Sequence, residues 1–131
     1  LPQVMGEAIA LICRNLAITK IVAVTSTGYA ARNIAAKMPR QPILAVSNNA
    51  ATARSFNLLR GTAGHYVNFP FSNSNMDHIP LCLKELWRRG ELVDEDLILV
   101  TAVSYPLAGN RMNLIETHKV SDLRDGLGWA E

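Results

Sequence analysis

The chain opens with a helical pattern that changes into a strand pattern. Four apolar residues recur at helical spacing: Met5, Ile9, Ile12 and Leu16. They are followed by "KIVAVT", Lys20 to Thr25, a run rich in β-branched residues that has the length of one strand. This order predicts an N-terminal helix and then a buried first strand.

The next stretch repeats the alternation of helix and strand. Three residues of a second predicted helix share one stripe: Ala30, Ile34 and Met38. Pro39 ends that helix, because its ring and missing N–H do not fit a helix interior. The apolar run "PILAVS", Pro42 to Ser47, predicts a second strand. Asn48 or Asn49 can then cap a third helix, over "AATARSFNLL", that stops at Gly61.

A third, weaker unit follows. The segment "AGHYVNF", residues 63–69, predicts a third strand. After a polar loop, Asp77 can cap a helix that has Pro80 in its first turn and closes at Gly90. The apolar stripe of this helix contains three residues: Ile79, Leu83 and Leu86.

The last part of the chain predicts two neighbouring strands. Asp96 to Ser104 is the most hydrophobic strand, and Met112 to Val120 is more polar, which suits an edge strand. The connection between them is short, so we expect the two strands to be antiparallel. Residues 121–131 show no clear period, and we expect an irregular tail.

Strands that alternate with helices predict one doubly wound α/β domain over residues 1–131. A chain of 131 residues, 49% of them hydrophobic, is long enough to build one compact core. The net charge of +2 is small and the basic residues are scattered, so the composition argues against a nucleic-acid partner.

The apolar runs are shorter than the roughly 20 residues that span a bilayer, so we expect no membrane partner. The first residues lack a signal-peptide pattern and read as part of a longer chain, which favours a cytoplasmic protein. Cys13 and Cys82 lie in apolar, helix-like patterns and form no metal or redox motif. We expect two buried thiols in a reducing compartment.

Three hydroxyl residues and a glycine separate the first strand from the second helix: Thr25, Ser26, Thr27 and Gly28. In doubly wound sheets, ligands collect where strands end and neighbouring connections leave in opposite directions. The first N–H groups of a helix lack partners within it, and the helix dipole favours negative charge. The turn therefore has the composition of a phosphate cradle, in which Ser26 and Thr27 donate hydrogen bonds.

The alternative is that Ser26 or Thr27 simply caps the second helix, as Ser and Thr commonly do at such positions. No Lys follows Gly28 as a P-loop requires, and a single glycine is not a dinucleotide fingerprint. The residues alone leave the cradle and the cap both open.

A set of short pieces occurs in a fixed order along almost the whole chain: Thr25, Thr27-Gly28, Ala31-Arg32, Pro42-Ile43, Thr52-Ala53-Arg54, Arg60-Gly61 and Asn113. In order and spacing these pieces resemble the C-terminal domain of pyruvate kinase. The resemblance implies a three-layer α/β domain with helices on both faces of a five-stranded mixed sheet, whose last strand is antiparallel. It also implies allosteric regulation by a sugar phosphate or nucleotide.

The resemblance places the effector phosphate on the turn and on the start of the following helix: Thr25, Ser26, Thr27, Gly28, Tyr29 and Arg32. The rest of the effector would contact the loop between the last two strands, through four residues: Ser104, Gly109, Asn110 and Arg111. Arg111 could pair with phosphate or be a solvated surface residue. In the family this domain also pairs with its twin, so we expect a homo-oligomer formed through the edge strand 113–120.

The family's chemistry, phosphoryl transfer from phosphoenolpyruvate to ADP in glycolysis, takes place in a separate barrel domain that holds Mg and K. A chain of 131 residues has no room for such a barrel, so we expect neither catalysis nor a cofactor in the isolated chain. The second hypothesis is a free-standing module that binds a phosphorylated metabolite. The third, a small phosphotransferase or hydrolase, lacks a nucleophile and base.

Other polar residues show no catalytic pattern. The three histidines, His65, His78 and His118, lack ligand spacing, and we expect surface or capping roles for them. The acidic cluster 94–96 reads as a solvated turn before a strand. Arg32 and Arg54 can also be interpreted as covering their helices and pairing with neighbouring acids.

Overall fold

The computed structural model describes residues 2–71, 77–102 and 114–130, with side chains from residue 5 onward. Within these ranges the elements follow in this order: α1 (Pro2–Asn15), β1 (Lys20–Val24), α2 (Tyr29–Ala36), β2 (Ile43–Ser47), α3 (Ala50–Ser55) with a 3₁₀ turn (Phe56–Leu58), β3 (Thr62–Tyr66), α4 (His78–Arg88), β4 (Leu97–Ala102), β5 (Leu114–Lys119) and α5 (Val120–Leu127).

The five strands form one mixed sheet in the order β3-β2-β1-β4-β5. The first four strands are parallel, whereas β4 and β5 are antiparallel. At the carboxyl end of β1, Val24 lies between Val46 of β2 and Ala102 of β4. The mixed five-stranded sheet that the sequence and the resemblance indicated is therefore confirmed.

The two faces of the sheet support separate hydrophobic cores, because side chains alternate along each strand. On one face Ile21 and Ala23 of β1 pack with α1 and α2. On the other face Val22 and Val24 pack with the buried residues of α4, among them Leu83. Helices thus cover both faces, and α2 and α4, which flank the central strands, lie on opposite sides.

The tail expected to be irregular is largely helical, which corrects that prediction: α5 runs from Val120 to Leu127. Val120 is fully buried, and Trp129 packs against Trp87 of α4 with 5.6 Å between ring centroids. The Arg124 guanidinium also pairs with Asp94. Val120 and Leu123 recur at helical spacing and both pack on the core, and tertiary contacts of this kind stabilise short helices.

Several predicted boundaries differ from the structure. The third helix is the clearest case, because α3 ends at Ser55 and continues only as the 3₁₀ turn Phe56–Leu58. The third strand ends at Tyr66 and does not extend to residue 69. The fifth strand ends at Lys119, because Val120 already belongs to α5. Cys13 and Cys82 are buried and unpaired, as expected, and burial raises the pKa of Cys82 to about 12. Among the described helices, none combines the length and hydropathy that a membrane crossing requires.

Candidate functional site

The hydroxyl turn, residues Thr25 to Gly28, directly follows β1 at the carboxyl edge of the sheet. Strand β1 lies between β2 and β4. The connection that leaves β1 contains α2, on one face, whereas the connection that enters β4 contains α4, on the other face. The turn therefore occupies the switch point of the topology, which is the usual ligand position in such sheets.

Thr25 shapes the turn from inside. It is buried, and its N–H donates to the carbonyl oxygen of Val46 at 2.9 Å. Its Oγ1 accepts the N–H of Gly28 at 3.0 Å and the N–H of Thr27 at 3.3 Å. Because these bonds occupy the acceptor side of the hydroxyl, Thr25 holds the backbone of the turn in place.

Ser26 and Thr27 have exposed side chains at the tip of the turn. The N-cap residue of α2 is Gly28, and Thr27 Oγ1 accepts the N–H of Tyr29 at 3.4 Å. Capping by Ser26 or Thr27, one of the two alternatives left open by the sequence, is found in part: the hydroxyl groups that accept these N–H groups belong to Thr25 and Thr27. Ser26 lies beside these groups at the exposed tip, so this arrangement is compatible with both the cap and the cradle.

Gly28 is needed for the fold itself. Its φ of +86° lies in the left-handed region, a backbone conformation that residues other than glycine rarely adopt. A Cβ atom at this position would lie 2.9 Å from Cε1 of Phe56 and 2.7 Å from Nη1 of Arg32. Phe56 is fully buried and cannot move away easily. The glycine is therefore explained by packing and backbone geometry, whether or not a ligand approaches it.

Arg32 places a positive charge beside the turn. Its Nη1 donates to the carbonyl oxygen of Thr27 at 3.2 Å, and its side chain is exposed. Pairing with a neighbouring acid, which the sequence suggested for Arg32, is not seen among the described residues. A cation at a helix N-terminus is unfavourable for the helix dipole, and a bound anion would offset that cost. Tyr29, the first residue of α2, is half-buried.

The remaining predicted contacts, Ser104, Gly109, Asn110 and Arg111, lie outside the described residues. Strand β4 ends at Ala102, directly opposite Val24 of β1, so the chain leaves β4 next to the hydroxyl turn.

Two residues near the turn, Phe56 and Thr101, are not distinguished by any pattern in the sequence. Thr101 precedes the end of β4, and its buried Oγ1 has no hydrogen-bond partner among the described residues. Nothing in the local pattern distinguishes Phe56 from any other apolar residue of a helix, because its contact with Gly28 joins positions that are distant in sequence. The hydroxyl of Thr101 lies within an apolar run and gave no signal either.

The end of β2 carries a second polar turn whose groups are already paired. Asn49 caps α3, as predicted, by accepting the N–H of Thr52 at 2.9 Å. Ser47 is buried, and its Oγ accepts the N–H of Asn49 at 3.1 Å. This turn therefore resembles an ordinary helix cap.

The histidines differ from their expected surface positions in two cases. His78 is buried and stacks on Phe71 with 4.5 Å between ring centroids. His65 is half-buried, and its Nδ1 lies 3.5 Å from Nη1 of Arg89. Within residues 2–71, 77–102 and 114–130, no three His, Cys, Asp or Glu side chains gather in a way that could hold a metal ion.

The acidic cluster before β4 is only partly solvated, which corrects its interpretation as a simple turn. Asp96 is 6% exposed, and its Oδ2 lies 2.8 Å from Nζ of Lys20. Its Oδ1 accepts the hydroxyl of Thr19 at 2.8 Å, and the N–H of Val93 donates to Oδ2 at 2.9 Å. Burial acts to raise the pKa of Asp96, but these hydrogen bonds prevail and lower it.

Comparison with known proteins agrees with this architecture. A family model described as the pyruvate kinase alpha/beta domain matches residues 3–118. The pyruvate kinase of Geobacillus stearothermophilus is 28% identical over 119 residues, and that of Bacillus licheniformis is 29% identical over 125 residues. Each alignment covers 91% of this chain and 20% of the relative, so the chain spans about a fifth of the length of these relatives.

Proposed function

The chain belongs to the family of the pyruvate kinase α/β domain, and on that premise we propose that it is a regulatory domain that binds a phosphorylated effector at the hydroxyl turn. One observation carries the proposal: the exposed Arg32 guanidinium lies over the N-terminus of α2, directly beside the turn at the switch point. This is a cationic, donor-rich position that an anion would complete.

The chemistry of the turn suits a phosphate group. Ser26 and Thr27 present hydroxyl groups at an exposed tip, and Arg32 can pair with two phosphate oxygens through its planar guanidinium. Hydrogen bonds to a charged group contribute roughly 1.5 to 3 kcal/mol each. A sugar phosphate or a nucleotide meets these requirements, and its remaining part would extend toward the connection that follows β4.

By this proposal the chain is part of a cytoplasmic protein. Phosphoryl transfer from phosphoenolpyruvate to ADP occurs in a separate barrel domain of that protein. Effector binding at the turn then regulates that barrel from a distance. The domain also contributes to assembly of the oligomer through β5, which pairs only with β4 among the described strands.

The test is a thermal-shift screen of sugar phosphates and nucleotides, followed by calorimetric titration of those that stabilise the chain. A ligand that binds only the folded state raises the melting temperature. We expect Ser26→Ala and Arg32→Gln each to weaken binding at least about tenfold, since each removes one charge-assisted contact. Gly28 is unsuitable for this test, because any side chain there would collide with Phe56.

Arg54→Gln is the matched control. Arg54 is an exposed arginine of the neighbouring helix α3 and forms no hydrogen bond with the described residues of the turn, so the substitution removes the same charge from a different helix. We expect it to leave affinity unchanged. If no phosphorylated compound stabilises the parent chain, or if Ser26→Ala and Arg32→Gln bind as the parent does, the turn is only a helix cap and the proposal is wrong.

A further inference from the structure

A large groove runs along α4, on the opposite face of the sheet from α2. One wall is the helix face that carries residues 81, 84, 85 and 88, which share the spacing of neighbours on a helix surface. The other wall is the segment from Tyr66 to Phe69, directly after β3. We call this space the α4 groove. Its volume of about 700 Å³ falls within the range of small-molecule pockets.

The α4 groove is positively charged. Among the described residues that line it are three cations, Lys84, Arg88 and Arg89, and one carboxylate, that of Glu85. Three cations and one anion leave a net charge of about +2 in a concave space, where charges focus their field on a ligand. A phosphomonoester carries about −1.5 to −2 charges at neutral pH and matches this value.

The two guanidinium groups of the groove are held in place before any ligand binds. Arg89 donates through Nη2 to the carbonyl oxygen of Tyr66 at 2.8 Å and through Nε to Glu85 Oε1 at 3.1 Å. Arg88 Nη1 donates to the other carboxylate oxygen, Oε2, at 2.8 Å. One carboxylate therefore orients both guanidinium groups. This reduces the side-chain conformational entropy that is lost when a ligand binds.

Of the three cations, Lys84 has the fewest hydrogen bonds and ion pairs with the described residues. It is half-buried and forms no ion pair with a described residue. Arg88 keeps further donors, because a guanidinium has five N–H groups and its side chain is 56% exposed. These two residues can therefore contact an anion without breaking the bonds that hold Glu85.

Large apolar side chains lie next to these cations. Tyr66 is 44% exposed and Leu81 is 54% exposed, although both are bulky. Phe69 is half-buried and packs edge-to-face on Phe71 at 6.3 Å between ring centroids, which fixes its orientation. Two aromatic rings and an aliphatic side chain beside positive charges provide a surface on which a flat ring can stack.

We propose that the α4 groove is a second ligand site, which binds a small phosphomonoester that carries a flat ring. The phosphate lies against Lys84 and Arg88, and the ring packs against Tyr66 and Leu81. This site is separate from the hydroxyl turn, because the sheet lies between α2 and α4 and because β2 separates β1 from β3.

The probe for the test is phenyl phosphate, titrated into the ¹⁵N-labelled 131-residue chain and followed by two-dimensional NMR. We expect saturable shifts of the amides of Tyr66, Lys84 and Arg88. Inorganic phosphate and phenol, which each carry half of the recognised chemistry, should bind at least about tenfold more weakly than phenyl phosphate.

Two variants and one control complete the test. Lys84→Gln and Arg88→Gln should each weaken binding of phenyl phosphate at least about tenfold, while Arg54→Gln, which removes an exposed charge on α3, should leave it unchanged. The proposal is overturned if the groove amides do not shift, if phenol or inorganic phosphate binds as well as phenyl phosphate, or if both variants bind as the parent does. Shifts confined to residues 25–32 support the hydroxyl turn and also overturn the groove.

Discussion

Gly64 and Ala53 approach each other so closely that a Cβ atom on Gly64 would lie 1.9 Å from the carbonyl oxygen of Ala53. The contact joins the middle of β3 to α3, and it sets the distance between this helix and the sheet. Since the obstructing atom belongs to the backbone of a helix, it cannot turn aside as a flexible side chain would.

We therefore predict that Gly64→Ala destabilises the chain by about 3 kcal/mol or more, which is at the upper end for overpacking because the helix itself must shift. Urea unfolding followed by circular dichroism measures the change. Gly126→Ala is the matched control: its Cβ would meet no atom within 4 Å, and alanine favours the helix α5. Equal stability of Gly64→Ala and the parent would contradict the packing described here.

A second prediction concerns the ion pair of Lys20 and Asp96. Asp96→Ala removes a buried carboxylate and leaves the Lys20 ammonium without its charged partner, so we expect a loss of about 3 kcal/mol or more in the free energy of unfolding. Glu95→Gln, at an exposed neighbouring position, should change it by less than about 0.5 kcal/mol. A loss below 1 kcal/mol for Asp96→Ala would show that the pair contributes little.

A third prediction concerns pH. Burial lowers the pKa of His65 and of His78 from their ordinary value of 6.5. Below about pH 6.5 the unfolded chain therefore binds protons that the folded chain does not bind. The two neutral histidines make their full contribution to the free energy of unfolding above about pH 6.5, and this free energy decreases below that pH. Asp96 and Glu85 have ordinary pKa values of 3.8 and 4.5, which are lowered further by their partners. They lose their contribution only in more acidic solution.

Urea denaturation at pH 7.5, 6.5 and 5.5 measures this dependence. We expect stability to fall between the last two values, and the double variant His65→Gln, His78→Gln should show a smaller fall than the parent. A parent whose stability does not change over this interval would contradict the prediction.

A fourth prediction concerns assembly through the edge strand β5. Glu116 and Thr117 are exposed on this strand, and an edge strand offers unpaired backbone groups to a second copy of the chain. Sedimentation velocity at increasing concentration should show a dimer, and Thr117→Lys should weaken it by introducing repelling charges across the two-fold axis. Ala63→Lys, on the opposite edge strand β3, is the control. A strictly monomeric parent at high concentration would contradict the prediction.

The sequence by itself determined the order of the helices and strands as far as the fifth strand, the buried stripes and the antiparallel last strand. These features are local, because the apolar period of a helix or strand is written in residues a few positions apart. It also determined that hydroxyl groups end the first strand, and hence that Thr25 to Gly28 lie at a switch point, since the alternation of strands and helices leaves few topologies.

Only the tertiary structure decided the features that depend on residues far apart in the chain. The helix α5 forms because Val120 and Trp129 find a core that other segments build. Gly28 is required because Phe56 packs against it, and Asp96 is buried because Lys20 lies opposite. The α4 groove exists because β3 ends beside one face of α4. A linear pattern records none of these distances, since each is set by how the helices pack on the sheet.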